Sequence, residues 1–379
     1  MSAPIFSFAR LGAVFIKEFI QMKRDRLTFA MIVGIPIMQL LLFGYAINTD
    51  PKHLPTVILN YDHGQYSRSL IAALQNTGYY RIDRVAQSRE EVDRLLDTGG
   101  VLFAITIPPD FSRVLLRGDR PQVLVEGDAS DPVATGNALG ALSALATRAI
   151  EHDLTGPLAG QEDKRPQIEF TVHRRYNPEG LTSYNIVPGL VGTILTMTMV
   201  IMTALAVTRE RERGTMENLL AMPVTPLEVM LGKLLPFIGV GLLQVVIIIG
   251  AARLLFGVPM LGSPVALGVG LLAFITANLA LGFLFSTLAK NQLQAMQMSF
   301  FVFLPSVLMS GFMFPFAGMP LWARTVAEGL PLTHFLRIVR GVMLKGNGMA
   351  EAWPNLWPLL LFLGIVATLA VARYQRTLD

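Results

Sequence analysis

Six stretches of about 20 consecutive apolar residues decide what this chain can fold into. They are Thr28–Ile47, Ile186–Val207, Leu234–Phe256, Val265–Leu288, Met296–Ala317 and Leu356–Ala372. At about 1.5 Å of rise per residue, a helix of that length covers the roughly 30 Å of a bilayer's hydrocarbon. Only Arg253 places a charge inside any of them, near an end where its head can reach the interface. Hydrophobic residues make up 52% of the 379 and charged residues 15%, well short of the roughly one quarter usual in a soluble domain. So much apolar surface needs lipid. The first stretch follows a charged segment and has no small-residue cleavage site behind it, so it reads as a retained helix and not as a signal peptide.

The charges are segregated. Residues 48–183 hold 18 acidic and 14 basic residues, whereas the short connections between apolar stretches are basic. Arg10, Lys17, Lys23, Arg24 and Arg26 precede the first, Arg209, Arg211, Arg213 and Lys233 separate the second and third, and Lys290 and Arg373 mark later ends. The positive-inside rule then puts both termini in the cytoplasm and residues 48–183 outside. Four cations at Arg324, Arg337, Arg340 and Lys345 weaken the rule in the 318–355 segment.

Residues 48–183 read as a folded α/β domain. Strand-like runs occur at Thr56–Asn60, Tyr79–Val85, Val101–Ile107, Gln122–Val125 and Ile168–His173. Helix-like runs occur at Gln65–Asn76, Arg89–Leu96, Asp110–Leu116 and Val133–Asp153, with Ser88 and Glu91 as a capping box. The fold class is thus an α-helical polytopic membrane protein of six transmembrane helices, with an α/β extracytoplasmic domain inserted between the first two. The segments are a cytoplasmic interface helix (1–27), a first span (28–47), a periplasmic domain (48–183) and a five-span region (184–379).

Residue chemistry narrows the function mainly by exclusion. No cysteine is present, which removes disulfides and thiolate sites. No phosphate-binding glycine loop occurs: Gly232–Lys233 is followed by leucine and lacks the upstream glycine. The five histidines are scattered, and Asp62, Asp110, Asp128 and Asp131 sit beside Gly or Pro in turn contexts. The expectation is a chain with no catalytic residues, no metal and no cofactor of its own, and no nucleic-acid partner.

Two cytoplasmic segments carry pattern. Ile5, Phe8, Leu11, Phe15, Phe19 and Met22 recur at helical spacing opposite Arg10, Lys17, Gln21 and Arg24, with Glu18 beside them. This is an amphipathic helix fit to lie on the membrane, either as an anchor alone or with a polar face touching a partner. After the second span come Arg209, Glu210, Arg211, Glu212 and Arg213, then Gly214 to break the helix, Thr215 to cap a new one, and Pro223 and Pro226 to stop it. Met216, Glu217, Leu219 and Leu220 on that short helix suit a groove on a partner, and an ordinary capped loop is the plain alternative.

The run Glu210–Lys233, E-R-E-R-G-T-M-E-N-L-L-A-M-P-V-T-P-L-E-V-M-L-G-K, closely resembles the signature segment of ABC-2-type transport permeases. The resemblance extends through Lys17–Arg26, the large insertion, Phe303–Pro315 and Leu330–Gly341, and is closest to bacterial permeases with a big periplasmic domain, of the multidrug and cation-efflux subgroup. It implies a bacterial inner-membrane permease that dimerises with an identical or paralogous permease. ATP and Mg would be held by separate ATPase subunits, and a periplasmic adaptor or membrane-fusion protein would be compatible. It implies a coupling helix at about 214–222 led into by Arg209–Arg213, an interface helix at Ile5–Arg26, and external re-entrant helices at about 318–345. Polysaccharide-exporting members lack a large external domain, which argues against that substrate. The spans hold Met and Phe, with isolated Gln39, Gln244, Asn278 and Gln297 and no acid, so a hydrophobic or amphiphilic substrate fits better than a bare cation. Met197, Met202, Phe300 and Phe301, in the two spans that the resemblance puts at the dimer interface, are the candidate pathway residues. Sodium or cation efflux, and a non-transporting sensor or scaffold with a ligand-binding external domain, stay open as alternatives.

Overall fold

The computed structural model describes residues 51–130, 132–148, 168–212 and 226–376. The first apolar stretch, the N-terminal amphipathic segment and most of the signature segment lie outside the described residues.

The first unit is a five-stranded sheet in the order β2-β1-β3-β4-β5. The strands are β1 (Leu54–Asn60), β2 (Tyr80–Val85), β3 (Phe103–Ile107), β4 (Gln122–Asp128) and β5 (Glu169–Arg175). Between them run α1 (Gln65–Asn76), α2 (Arg89–Asp97), α3 (Phe111–Leu116) and α4 (Pro132–Arg148). Pairing is parallel except between β3 and β4. Successive side chains of a strand point to opposite faces, and the sequence uses both. Leu54, Ile58, Phe103, Ile105, Val123 and Val125 meet α1, α3 and α4 on one side. Val57, Leu59 and Ala104 meet Val92 and Leu96 of α2 on the other. Ser88 caps α2 by accepting from the Glu91 amide, while the Glu91 carboxylate reaches back to the amide of Gln87, one residue earlier than the capping box requires. The predicted Val133–Asp153 helix is described as far as Arg148.

Only α2 covers its face of the sheet among the described residues, and the neighbouring part of that face is charged. Glu126, 1% exposed, takes a bidentate ion pair from Arg89 and lies 3.8 Å from Arg175. Asp93 of α2 pairs with both arginines, so four alternating charges pin α2 to β4 and β5. Three of the four side chains keep partial contact with water, which limits how much this ring adds to stability.

A tight turn, in which Asn177 and Leu181 exchange two hydrogen bonds, leads into the helix bundle. Its long helices are α5 (Thr182–Glu212), α6 (Pro226–Phe256), α7 (Pro264–Leu288), α8 (Gln292–Met309) and, after two short helices, α11 (Met349–Arg376). Five helices among the described residues are long and apolar enough to cross a membrane. Helix α7 is the central pillar, enclosed by α5, α6, α10 and α11, and it buries residues all round its circumference. A helix apolar on every side belongs inside a membrane bundle.

The predicted Met296–Ala317 span is corrected at both ends. Helix α8 begins at Gln292, because Asn291 accepts from the Gln294 amide and caps it. It ends at Met309, because Gly311 turns the chain at φ +84°. Phe312–Phe314, apolar enough to look like more helix, lie in the turn that follows. The short helices are α9 (Leu321–Glu328) and α10 (Pro331–Arg340). Helix α10 is sunk into the bundle, with Phe335 stacked on Phe274 of α7 at 4.2 Å between centroids. It runs into a π-helical turn, Gly341–Lys345, before α11 begins.

Candidate functional site

The bundle has two distinct ends. At one end lie the start of α5, the α6–α7 connection, the end of α8, the π-helical turn and the α/β unit. Tyr184 donates to Gly257 O at 3.3 Å, and Arg340 donates to Gly311 O at 3.1 Å and to Asn185. At the other end lie the last turn of α5 and the first of α8. Helix α5 joins the two, with about 40 Å between Asn185 and Glu212 at 1.5 Å per residue.

The signature segment starts at that far end. Arg209–Glu212 continue α5, with Arg209 and Glu212 exposed and Glu210 and Arg211 in helical backbone. Arg213, Gly214, Thr215, Met216, Glu217, Leu219 and Leu220 lie outside the described residues, as do Arg10, Lys17, Glu18 and Arg24. Glu212 accepts from the backbone amide of Gln292 at 2.8 Å and from its side-chain amide. A carboxylate at the first turn of α8 meets free amide groups and the positive end of the helix dipole. The donations from Gln292 hold the Glu212 carboxyl below its ordinary pKa. In the sequence Glu212 belongs to the alternating charges of Arg209–Arg213, and its partner 80 residues on leaves no local trace there.

Helices α5 and α8 pack side by side and carry the four candidate pathway residues. Met197, Met202 and Phe301 are exposed, and Phe300 is half-buried, edge-on to Phe303 at 6.3 Å. They do not form one patch. Five residues of helix turn through about 140°, so Met197 and Met202 look out on different sides of α5. Ile186 and Ile194 share the Met197 side, and Leu293 and Met296 extend the exposed surface of α8. Met199, by contrast, is fully buried in the bundle core.

Hydroxyls within the spans mostly donate back to their own helix, as Thr196 does to Gly192 O and Thr203 to Met199 O. Thr198 donates to Gln244 at 3.0 Å between α5 and α6. Asn278, fully buried in α7, donates to Phe274 O, while its own Oδ1 and the Oε1 of Gln297 have no hydrogen-bond partner among the described residues. Unpaired acceptors at such depth are costly unless something fills them. Within the apolar spans Thr182–Arg209, Leu234–Phe256, Pro264–Leu288, Gln292–Met309 and Met349–Arg373, Glu351 in the first turn of α11 is the sole carboxylate.

A cavity of about 190 Å³ with mixed polar and apolar walls lies where the α/β unit meets the bundle, lined by Asp97, Asp128, Leu336, Arg337, Lys345 and Glu351 among others. Sequence reading assigned Asp128 to turn chemistry. It does accept from the Ser130 amide at 3.0 Å, but its other oxygen pairs with Lys345 of the π-helical turn.

The sequence profile described as ABC-2 family transporter protein matches residues 26–372. The chain belongs to the ABC-2 transporter family. This permease is 31% identical to "Probable multidrug ABC transporter permease YbhS" of Escherichia coli (strain K12), over 92% of each chain. It is 27% identical to "Probable multidrug ABC transporter permease YbhR" of the same strain, over 97% of this chain and 99% of that one. Against "Inner membrane transport permease YhhJ", also from that strain, identity is 28% over 86% of each. The ABC-2 protein is therefore an integral membrane protein, a transmembrane permease subunit of an ATP-binding-cassette exporter. ABC ATPases are the general partners of this family.

Proposed function

We propose that this permease exports hydrophobic or amphiphilic compounds, driven by separate ATPase subunits that dock on its α5–α6 connection. The observation that carries the reading is the exposed Met and Phe side chains on α5 and α8, set on more than one side of these helices, beside spans that hold almost no carboxylate. Methionine and aromatic side chains adapt to apolar molecules of varied shape. A dehydrated cation would need carboxylates near the midplane. Two relatives carry "multidrug" in their names, which agrees with this choice.

In this reading Thr28–Ile47 is a sixth span, the α/β unit is periplasmic, and Arg209–Leu220 together with the 1–27 helix face the ATPase. A second permease, identical or paralogous, completes the pathway along α5 and α8, and a periplasmic adaptor docks on the α/β unit. Substrate class is tested by reconstituting the permease with its ATPase. Lipophilic cations should raise ATP turnover and sodium chloride should not. Phe300→Ala and Met202→Ala should each weaken binding of a lipophilic dye. Sodium-dependent turnover with unchanged dye affinity would favour ion export instead.

Orientation has its own test. In this cysteine-free chain, Asp119→Cys and Asp379→Cys should react with an impermeant thiol reagent from opposite sides of the membrane. Labelling of both from one side sinks the six-span arrangement.

A further inference from the structure

The cavity between the α/β unit and the bundle is bordered by a buried ion pair made of one residue from each. Lys345 comes from the π-helical turn and Asp128 from the end of β4, and both side chains are almost inaccessible. The Lys345 ammonium also donates to Leu96 O at 3.1 Å and lies 4.9 Å from the centre of the Tyr176 ring. Two residues on, Asn347 donates to Asp97 O at 3.3 Å. Leu96 and Asp97 are the last residues of α2. A cation and an amide from the bundle thus cap the C-terminus of a helix in the other unit, where carbonyls lack partners and the dipole favours positive charge.

The turn that carries Lys345 is itself fixed. Leu261, Gly262 and Ser263 of the α6–α7 connection donate backbone hydrogen bonds to Met343 O, Val342 O and Asn347 O at 3.3, 2.8 and 3.1 Å. A Cβ on Gly262 would come within 2.4 Å of Asn347 O, so only glycine permits this approach. The lysine is the projecting part of a rigid seat.

At this corner Tyr176 packs against the bundle core, beside the hydrogen bonds, the ion pair and the cavity. Units joined this way move relative to each other by default. Splitting a buried ion pair is costly when the separated charges stay dry. Both of these charges line a cavity roomy enough for water and carrying polar groups to bind it, which would hydrate them as they part.

We propose that Lys345 is a latch, and that the α/β unit lifts off and re-seats on the bundle during the transport cycle, the Lys345–Asp128 pair holding the seated state. Only the timing of that movement rests on the exporter reading; the latch itself does not.

Spin labels on Arg117→Cys in the α/β unit and Leu254→Cys on the bundle, both exposed positions, report the separation by pulsed electron resonance. The sample is the whole permease purified with its ATPase in lipid nanodiscs. Without nucleotide, one narrow distance distribution is expected. Lys345→Ala should add a second, longer population, and Asp128→Asn should do the same should the first variant fold poorly. The exchange of the pair, Lys345→Asp with Asp128→Lys, should restore the narrow distribution. Trapping with ATP and vanadate should move the wild-type protein into the longer population. A Lys345→Ala distribution identical to wild type overturns the latch, and a trapped wild type that stays narrow overturns its part in the cycle. If the assembly turns over no ATP, the exporter reading fails, while the nucleotide-free comparison still decides the latch.

Discussion

Gly282→Leu should leave almost no correctly assembled permease in the membrane. Gly282 lies where α7 passes against α5, and a Cβ built there would sit 2.4 Å from Val200 O, 3.1 Å from Val200 Cα and 3.0 Å from Thr203 Cβ. Two of these three atoms are backbone, and a buried helix cannot step aside as a side chain can. Small residues at helix crossings let backbones approach closely, and in lipid that packing replaces the hydrophobic drive that is missing between helices. Overpacking costs about 1–3 kcal/mol where side chains give way. Here α5 must separate from the central pillar, so the cost should exceed that range and take much of the roughly 5–15 kcal/mol that holds a typical domain. Gly282→Ala should show the same defect in weaker form. Gly268→Ala, on the same helix with nothing within 4 Å of its Cβ, should behave as wild type. Yield of monodisperse protein after size exclusion and its thermal unfolding midpoint are the readouts. A Gly282→Leu protein as stable as the Gly268→Ala control would mean that α5 and α7 do not cross here.

The α/β unit was legible because its signals are local. The strand-like run Thr56–Asn60 lies within β1, and Ser88 marks the start of α2. The Gln65–Asn76 helix stands where its apolar spacing puts it. The end of α8 was misplaced because hydropathy runs on through Phe312–Phe314, whereas the backbone obeys Gly311. The weak charge bias of the 318–355 segment also has a structural cause. Arg337 pairs with Glu328, Lys345 with Asp128, Arg340 with Gly311 O and Asn185, and Arg324 with the carbonyls of Ala317 and Met319. Cations held by internal partners say little about sidedness, so the positive-inside count in that segment carries little weight. The junction itself was not legible at all. Asp128 and Lys345 lie more than 200 residues apart, and no periodicity links them.

Glu212→Arg should uncouple substrate from ATP turnover. Glu212 is the last described residue of α5 and ties it to the first turn of α8 through two donations from Gln292. A push delivered to the α5–α6 connection by an ATPase would therefore reach both helices, whose exposed Met and Phe side chains are the proposed contact surface. Arginine at this position would remove both acceptor oxygens and set a cation against the N-terminus of α8, where the amides already carry partial positive charge. The side chain is exposed, so folding and membrane insertion should be unaffected. Substrate-stimulated ATP hydrolysis should fall on the order of tenfold, the usual size of coupling between two sites, while unstimulated hydrolysis persists. Glu212→Gln keeps one acceptor and should lose less. Adding Gln292→Glu to the Glu212→Arg protein restores an opposite charge across the same gap and should recover stimulation. Recovery by that second change is what a mere surface defect at residue 212 would not show. Full stimulation in the Glu212→Arg protein alone would mean that α5 and α8 answer to the ATPase separately, and that the tie between them transmits nothing.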